Sequence, residues 1–229
     1  AKNGQIDVYP RKGKAGGAFC SHTSNTPTVV LLNHADDLRS FTTLAHEMGH
    51  AFHSERSRTQ PTIYKDYVIP AAETASTFFE ALALDRLIET LPEKAKIMAL
   101  HDHIQEDIST IFRQIAFFNF ELELHTRVRT EGSLTHDALA KLLAKHLRAY
   151  LGPKVNVTDD DGYLFVLVSH FRNFFYVYSY AYGQLISKIL LRHYKEDPAF
   201  IQKIDQFLTA GGSARPDDIF RNIGIDPAD

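Results

Sequence analysis

The sequence predicts a mainly α-helical protein that has a small β-sheet edge near its N-terminal end and a bundle of long helices behind it. Two long stretches, 93–152 and 154–197, contain no proline, which the interior of a helix excludes. The first 33 residues differ, because short β-prone runs alternate there with glycine, threonine, asparagine and proline. The 229 residues, 44% of them hydrophobic, suit one domain with its own core.

The β edge is predicted from three short runs that are rich in β-branched or aromatic residues. Glycines and other turn-forming residues separate these runs, as they separate the strands of small sheets. The predicted strands lie within 5–9, 18–21 and 28–32.

The first helix is predicted from a change in the period of the apolar residues after Asp36. From there they recur every three or four positions, which is typical of one face of a helix. They are Leu38, Phe41, Ala45, Met48 and Phe52. Asp36 or Asp37 stands where an N-cap is needed, so we predict a helix over 37–56.

Proline and glycine mark the ends of the later helices. Pro92 ends the second helix, and Gly132 separates the third from the fourth, which a serine or threonine can cap. The segment 174–195 has tyrosines at alternate positions, as a strand would, but its length favours a helix. The predicted helices are 71–91, 93–130, 134–151, 174–195, 198–209 and 216–222. The acidic run that ends at Gly162 predicts a solvated turn.

The composition argues against several classes of protein. A net charge of −3 gives no reason to expect nucleic acid, whose binding needs clustered positive charge. No run of 18 apolar residues is present and no signal peptide is visible, so we expect no membrane contact. The single cysteine, Cys20, excludes an internal disulfide and a cysteine-based zinc cluster. These features predict a cytoplasmic protein.

The first predicted helix contains the pattern His-Glu-x-x-His at His46, Glu47 and His50. On a helix, residues four apart lie one turn apart on the same side, so both imidazoles can reach one metal ion. Glu47 lies about 100° further round and can act as base toward a water on that ion. The pattern therefore predicts a zinc site with a catalytic carboxylate.

A hydrolytic zinc site needs a third protein ligand and one open position. A third histidine ten residues after His46 is excluded, because Arg56 stands there. No glutamate of the second helix is followed by aspartate four residues later. The remaining pattern, Glu-x-x-Ser from a second helix, is present as Glu73 and Ser76.

Three separated motifs of the chain resemble the thimet oligopeptidase family of zinc metallopeptidases, and within it the oligoendopeptidase F group. The motifs are His46-Glu-Met-Gly-His50-Ala-Phe-His53, Glu73-Thr-Ala-Ser76 and His170-Phe-Arg-Asn-Phe-Phe-Tyr176-Val-Tyr-Ser-Tyr180. The resemblance implies that His46, His50 and Glu73 bind one zinc ion and that Glu47 is the catalytic base. It also implies that His170, Tyr176 and Tyr180 bind the substrate and the developing oxyanion.

The resemblance covers the whole chain and implies a single zincin-like catalytic lobe over 1–229. Its parts are a β edge at 1–35, a zinc-site helix pair at 36–92 and a helical body at 93–229. Because members of the group are longer, we expect the chain to be their C-terminal catalytic half, without the N-terminal helical half that would be its partner.

Several residues allow two interpretations. Glu80 lies on the same helical face as Glu73 and either orients a ligand imidazole or is an ordinary surface carboxylate. His53 is too far along the helix to join the same metal easily and is expected to be structural. Tyr178 and Tyr182 fall on a different helical face from Tyr176 and Tyr180 and are expected to be silent in catalysis.

The sequence thus predicts a zinc-dependent metalloendopeptidase that hydrolyses short oligopeptides. The alternative is a zinc-binding fragment or peptide-binding module with little turnover. A di-iron helical bundle would need two Glu-x-x-His pairs, and only Glu47 and His50 fit that pattern.

Overall fold

The computed structural model describes residues 4–23 and 25–228, and its contacts separate two compact units. The first unit combines Ala1–His101 with Gly183–Asp229, and the second is Asp102–Tyr182. The zinc-site motifs fall in the first unit, and the histidine and tyrosines of the third motif fall in the second. The single catalytic lobe over 1–229 stays a prediction.

The predicted β edge is a three-stranded sheet of short strands. Its strands are β1 Ile6–Asp7, β2 Phe19–Thr23 and β3 Thr26–Leu31. The central strand is β3, which pairs in parallel with β1 and antiparallel with β2. In that pairing Cys20 lies opposite Val30. Because β3 lies between the other two strands, β2 is an edge strand of this sheet.

Helix α1 spans Leu38–Ser57, which confirms the predicted helix over 37–56. Asp37 caps it, since its side chain accepts a hydrogen bond of 2.7 Å from the backbone N–H of Ser40. The predicted apolar stripe is only partly the buried face, because Phe52 is 47% exposed whereas His53 is 1% exposed.

The reason is that α1 is covered on more than one side. Leu44 and Met48 pack with Val30 and Leu32 of the sheet. A different side of α1 packs against α2, Ile69–Thr90, and that side carries Gly49. A helix held between two layers has no single apolar stripe, so periodicity alone misplaces part of its core.

The predicted helix over 93–130 consists of two α-helices with a π-helical turn between them. These are α3 Glu93–Ile108, the turn Ser109–Arg113, and α4 Gln114–Glu131. Helix α5, His136–Leu151, follows and is capped by Thr135. In the second unit α4 and α5 supply most of a core of Phe117, Phe120, Leu142, Leu143, Leu147 and Val177.

The acidic run before Gly162 is exposed, as the sequence predicts, but the glycine that ends it is not solvated. The run enters a 3₁₀ helix, Asp160–Val166, and Gly162 is buried. A Cβ at this position would lie 1.8 Å from the backbone oxygen of Ala140, so only glycine fits between the two segments. Close packing, rather than turn formation, explains this glycine.

The last three helices are α6 Tyr178–Glu196, α7 Ile201–Ala210 and α8 Pro216–Asn222. The helical interpretation of 174–195 is confirmed from Tyr178 onward, whereas the four residues before it are not helical. Phe174 and Phe175 have left-handed backbone angles, with φ of 21° and 57°. Among the described residues, no helix is both long and apolar enough to cross a membrane.

Candidate metal centre

The structure brings the three predicted zinc ligands together in the first unit. Helix α1 carries His46 and His50, one turn apart, and α2 carries Glu73 opposite them. One side-chain atom from each of the three residues lies within 4.8 Å of the others. The distance from Oε2 of Glu73 is 3.6 Å to Nε2 of His46 and 3.9 Å to Nε2 of His50. The three side chains therefore converge on one point.

These separations fit a zinc ion. Two ligand atoms that each lie about 2.1 Å from a tetrahedral ion are roughly 3.4 Å apart, close to the distances between Glu73 and the imidazoles. Two nitrogens and one carboxylate oxygen are a donor set that zinc accepts in catalytic sites, where a fourth position stays open. His46, His50 and Glu73 are thus a complete set of protein ligands for such a site.

Glu80 contacts the first of the two histidines. Nδ1 of His46 lies 2.9 Å from Oε2 of Glu80, about two turns further along α2 than Glu73. A carboxylate oxygen accepts hydrogen bonds, so Nδ1 of His46 carries the hydrogen and donates this hydrogen bond to Glu80. This tautomer leaves the lone pair of Nε2 directed toward Glu73 and available to a metal.

The two imidazoles differ in their affinity for protons. Burial lowers the pKa of His50 to about 3, and the positive charges of His46 and His22 act in the same direction. Burial also acts to lower the pKa of His46, but the hydrogen bond and charge of Glu80, with the charges of Glu73 and Glu47, outweigh it. The pKa of His46 is therefore raised. Protons compete with a metal ion for His46 more readily than for His50.

Glu47 lies beside the cluster without joining it. Its side chain is 7% exposed, and Oε2 has no hydrogen-bond partner among the described residues. Burial raises the pKa of Glu47, although the charge of His46 and a hydrogen bond from the backbone of Cys20 act against that shift. A buried carboxylate oxygen without a protein partner is available to a water or a substrate amine.

Two glycines allow the elements around the ligands to approach each other closely. A Cβ on Gly49, between the two histidines, would lie 2.7 Å from Cα of Ser76 on α2. A Cβ on Gly183 of α6 would lie 2.7 Å from Cβ of Glu73. Since backbone atoms cannot move aside cheaply, the positions of His46 and His50 relative to Glu73 depend on these glycines.

Replacing Gly49 by alanine is expected to push α1 away from α2 and to separate the histidines from Glu73. Overpacking of this kind costs about 1–3 kcal/mol, and we expect zinc affinity to fall together with thermal stability. Competition titration with a chelator and thermal unfolding of the metal-free protein measure the two effects. Gly16→Ala is the control, because no atom lies within 4 Å of its added Cβ and its backbone is outside the left-handed region. Unchanged zinc affinity in Gly49→Ala would contradict this account.

His170, Tyr176 and Tyr180 form a second cluster, in the second unit. The Tyr180 hydroxyl lies 2.9 Å from Nε2 of His170, and the ring centroids of the two tyrosines are 5.5 Å apart. Burial lowers the pKa of His170, so its imidazole is neutral at neutral pH. The three residues are adjacent, as the resemblance implies.

The reason for that adjacency differs from the one that the sequence suggests. Tyr176 precedes α6, which begins at Tyr178, so Tyr176 and Tyr180 do not share a helical face. The left-handed turn at Phe174 and Phe175 directs the chain into the helix instead. The expectation of a shared face is therefore wrong, although the two rings are in contact.

The structure adds residues behind His50 that the sequence does not single out. The hydroxyl of Ser54 donates to the backbone carbonyl of His50 at 2.9 Å and accepts from the hydroxyl of Tyr67 at 2.8 Å. The ring of His53 stacks on Tyr67 with a centroid distance of 3.6 Å. His53 is therefore structural, as expected. In the sequence, a serine one turn after His50 is the only sign of this network, and no pattern points to Tyr67.

Comparison with known proteins assigns a family to the whole chain. The model described as peptidase family M3 matches residues 1–229. The chain is 34% identical to oligopeptidase PepF of Bacillus subtilis in an alignment 231 residues long that covers 98% of this chain and 34% of that protein.

Solved structures of related proteins agree with this result. A Chlamydophila abortus structure described as that of a peptidase has a TM-score of 0.78 at 31% identity and covers 99% of this chain. Oligoendopeptidase F from Enterococcus faecium has a TM-score of 0.68 at 27% identity and covers 84% of this chain. The matches cover 38% and 35% of those two chains, so this chain spans little more than a third of the length of its relatives.

Proposed function

The chain belongs to peptidase family M3, and from that premise we propose that it is a zinc-dependent endopeptidase that hydrolyses peptide bonds in short oligopeptides. The observation that carries the proposal is the convergence of His46, His50 and Glu73 beside Glu47, whose buried Oε2 has no partner among the described residues. The names of the relatives, oligopeptidase and oligoendopeptidase, support short peptides as the substrate class.

In this proposal His46, His50 and Glu73 hold the zinc ion, and Glu80 keeps His46 in the tautomer that presents Nε2. When bound, zinc supplies Lewis-acid chemistry, since it acidifies a water molecule and polarises the peptide carbonyl. Two neutral imidazoles and one carboxylate leave the site with a net charge of +1, which favours that chemistry.

Glu47 is proposed to move the proton. Its Oε2 accepts a proton from the attacking water, and the carboxylic acid so formed then gives that proton to the leaving amine. Burial raises the pKa of Glu47, and a carboxylate of higher pKa is a better base toward water. The same burial keeps bulk water away from Oε2.

His170, Tyr176 and Tyr180 are proposed to bind the substrate and to stabilise the oxyanion that develops on its carbonyl. The neutral state of His170 favours a hydroxyl or a neutral N–H as the donor, rather than an imidazolium. A donor aimed at this oxygen acts on the transition state more than on substrate binding.

Tyr176→Phe and Tyr180→Phe test this role. The variant that removes the oxyanion donor is expected to lower kcat by roughly 10²–10³-fold with little change in KM or zinc content. Steady-state kinetics and metal analysis of the purified proteins measure these quantities. Tyr178→Phe is the control, because Tyr178 is 43% exposed at the start of α6. If the loss appears in Tyr178→Phe instead, the assignment of the tyrosines is wrong.

Glu73→Ala and Glu80→Ala are expected to differ in their effect on zinc affinity. Loss of an outer partner of a ligand typically reduces affinity by about 10–100-fold, whereas loss of a ligand costs more. A chelator competition titration ranks the two variants, with Glu89→Ala as the control, since Glu89 pairs with Arg86 on the surface of α2. An equal or larger loss in Glu80→Ala would mean that Glu80 is the third ligand.

The proposed function as a whole is tested by two measurements on the purified chain. Metal analysis is expected to give one zinc per chain that chelation removes, and an internally quenched fluorescent peptide is expected to be cleaved only by the zinc-loaded protein. Zinc binding without cleavage would favour the peptide-binding alternative. A second, N-terminal half as partner and a cytoplasmic location both stay predictions.

A further inference from the structure

Glu121 is a carboxylate inside the apolar core of the second unit. It lies on α4 next to Phe120, and its side chain is 1% exposed. Burial raises its pKa, against the effects of a backbone hydrogen bond and of His125. Because burying a carboxylate is costly, an apolar residue of similar size would suit this position better if packing were its only role.

The group that Glu121 contacts is the backbone of an unusual turn. Oε1 of Glu121 accepts a hydrogen bond of 3.0 Å from the N–H of Phe175, while Oε2 has no partner among the described residues. Phe174 and Phe175 both have left-handed φ angles, which are rare for bulky residues because the side chain crowds its own backbone. Such a turn persists only where its surroundings hold it.

The next residue after this turn is Tyr176, whose ring lies 5.2 Å from that of His170 between centroids. Tyr176 precedes α6, and its backbone carbonyl accepts a hydrogen bond of 3.1 Å from the N–H of Ser179 in that helix. On its N-terminal side Tyr176 adjoins the turn, in which Glu121 holds the N–H of Phe175. A hydrogen bond that holds Phe175 in place therefore also constrains the position of Tyr176, the next residue.

We propose that Glu121 is a positioning residue: its carboxylate holds the left-handed turn at Phe174 and Phe175 and thereby places Tyr176 against His170 and Tyr180. Glu121 need not touch the substrate to do so. The functional part of this inference rests on the proposed role of Tyr176 in the peptidase reaction. The structural part, the hold on the turn, does not depend on it.

Two substitutions separate the hydrogen bond from the packing. Glu121→Leu keeps the volume in an apolar core and removes the acceptor, whereas Glu121→Gln keeps an acceptor oxygen and removes the charge. Glu123→Gln is the matched control on the same helix, since Glu123 pairs with Lys145 and His146 instead. The measurements are hydrogen exchange at the amide of Phe175 and steady-state kinetics of the zinc-loaded protein.

We expect the Phe175 amide to exchange at least about 10-fold faster in Glu121→Leu and at a nearly unchanged rate in Glu121→Gln and Glu123→Gln. We expect Glu121→Leu to lower kcat by roughly 10–100-fold, because a small displacement of a group that acts on the transition state has effects of that size. In a Tyr176→Phe background, Glu121→Leu is expected to have no further effect on kcat.

Unchanged exchange at Phe175 in Glu121→Leu would overturn the inference. So would losses in kcat that multiply when Glu121→Leu and Tyr176→Phe are combined, because Glu121 would then act independently of Tyr176. A different outcome separates the two levels of the argument: if Tyr176→Phe alone leaves kcat unchanged, the proposed role of Tyr176 is wrong. The exchange rate of Phe175 still decides whether Glu121 holds the turn.

Discussion

Replacing Glu47 by glutamine is expected to leave the zinc content unchanged and to lower kcat by roughly 10²–10⁴-fold, which is the range that general acid–base catalysis contributes. Glutamine has nearly the same shape, so α1 keeps its packing and His46 and His50 keep their places. The amide cannot accept a proton at Oε1 or Nε2 and cannot return one to the leaving amine. Metal analysis and turnover of an internally quenched peptide measure the two quantities on one preparation.

Glu55→Gln is the control for this variant, because Glu55 lies on the same helix but pairs with Arg58 and Thr28 at the far end of α1. It is expected to retain activity. Loss of zinc from Glu47→Gln would show that Glu47 is a ligand rather than a base. Full activity in Glu47→Gln would place the base elsewhere in the protein.

Replacing His50 by alanine is expected to abolish both zinc binding at micromolar zinc and peptidase activity. A site left with one imidazole and Glu73 lacks a ligand, so its affinity is expected to fall by more than the roughly 10–100-fold that an outer partner costs. Metal analysis after gel filtration gives the zinc content. His136→Ala, an exposed residue at the start of α5, is the control. One zinc per chain retained by His50→Ala would overturn the ligand set.

Acid is expected to release the zinc through His46 rather than His50. The raised pKa of His46 means that a proton competes for its Nε2 as the pH falls through that value, whereas the pKa of His50, about 3, delays such competition. Chelator competition across a pH series measures this dependence. In Glu80→Gln the fall in affinity is expected at lower pH, because the charge of Glu80 raises the pKa of His46. An unshifted profile would contradict this assignment.

The sequence alone predicts most of the fold and a candidate set of zinc ligands, which the structure brings together. The helix carrying His46 and His50 follows from a local apolar period and a capping aspartate, and the β edge follows from short β-prone runs between turns. Such local signals depend on residues close together in the chain, so they survive without knowledge of the tertiary structure. The resemblance then selects Glu73 from the three glutamates of α2.

Packing between elements was less predictable. Periodicity placed Phe52 in the core, although α1 lies between a sheet and a second helix and leaves Phe52 half-exposed. The turn-forming residues before Gly162 predict a solvated turn, although the close approach of Ala140 is what requires a glycine there. Both errors arise because an isolated segment carries no information about what covers it.

The sequence by itself determined the chemistry that this protein carries: two imidazoles at a helical spacing, a carboxylate between them, and a second helix able to supply a third ligand. Only the tertiary structure decided which groups meet. It placed Glu80 at 2.9 Å from Nδ1 of His46, and it joined Glu121 of α4 to the turn before Tyr176. The physical reason is that helical spacing relates residues within one element, whereas contacts between elements depend on crossing positions that close-packed glycines such as Gly49 set.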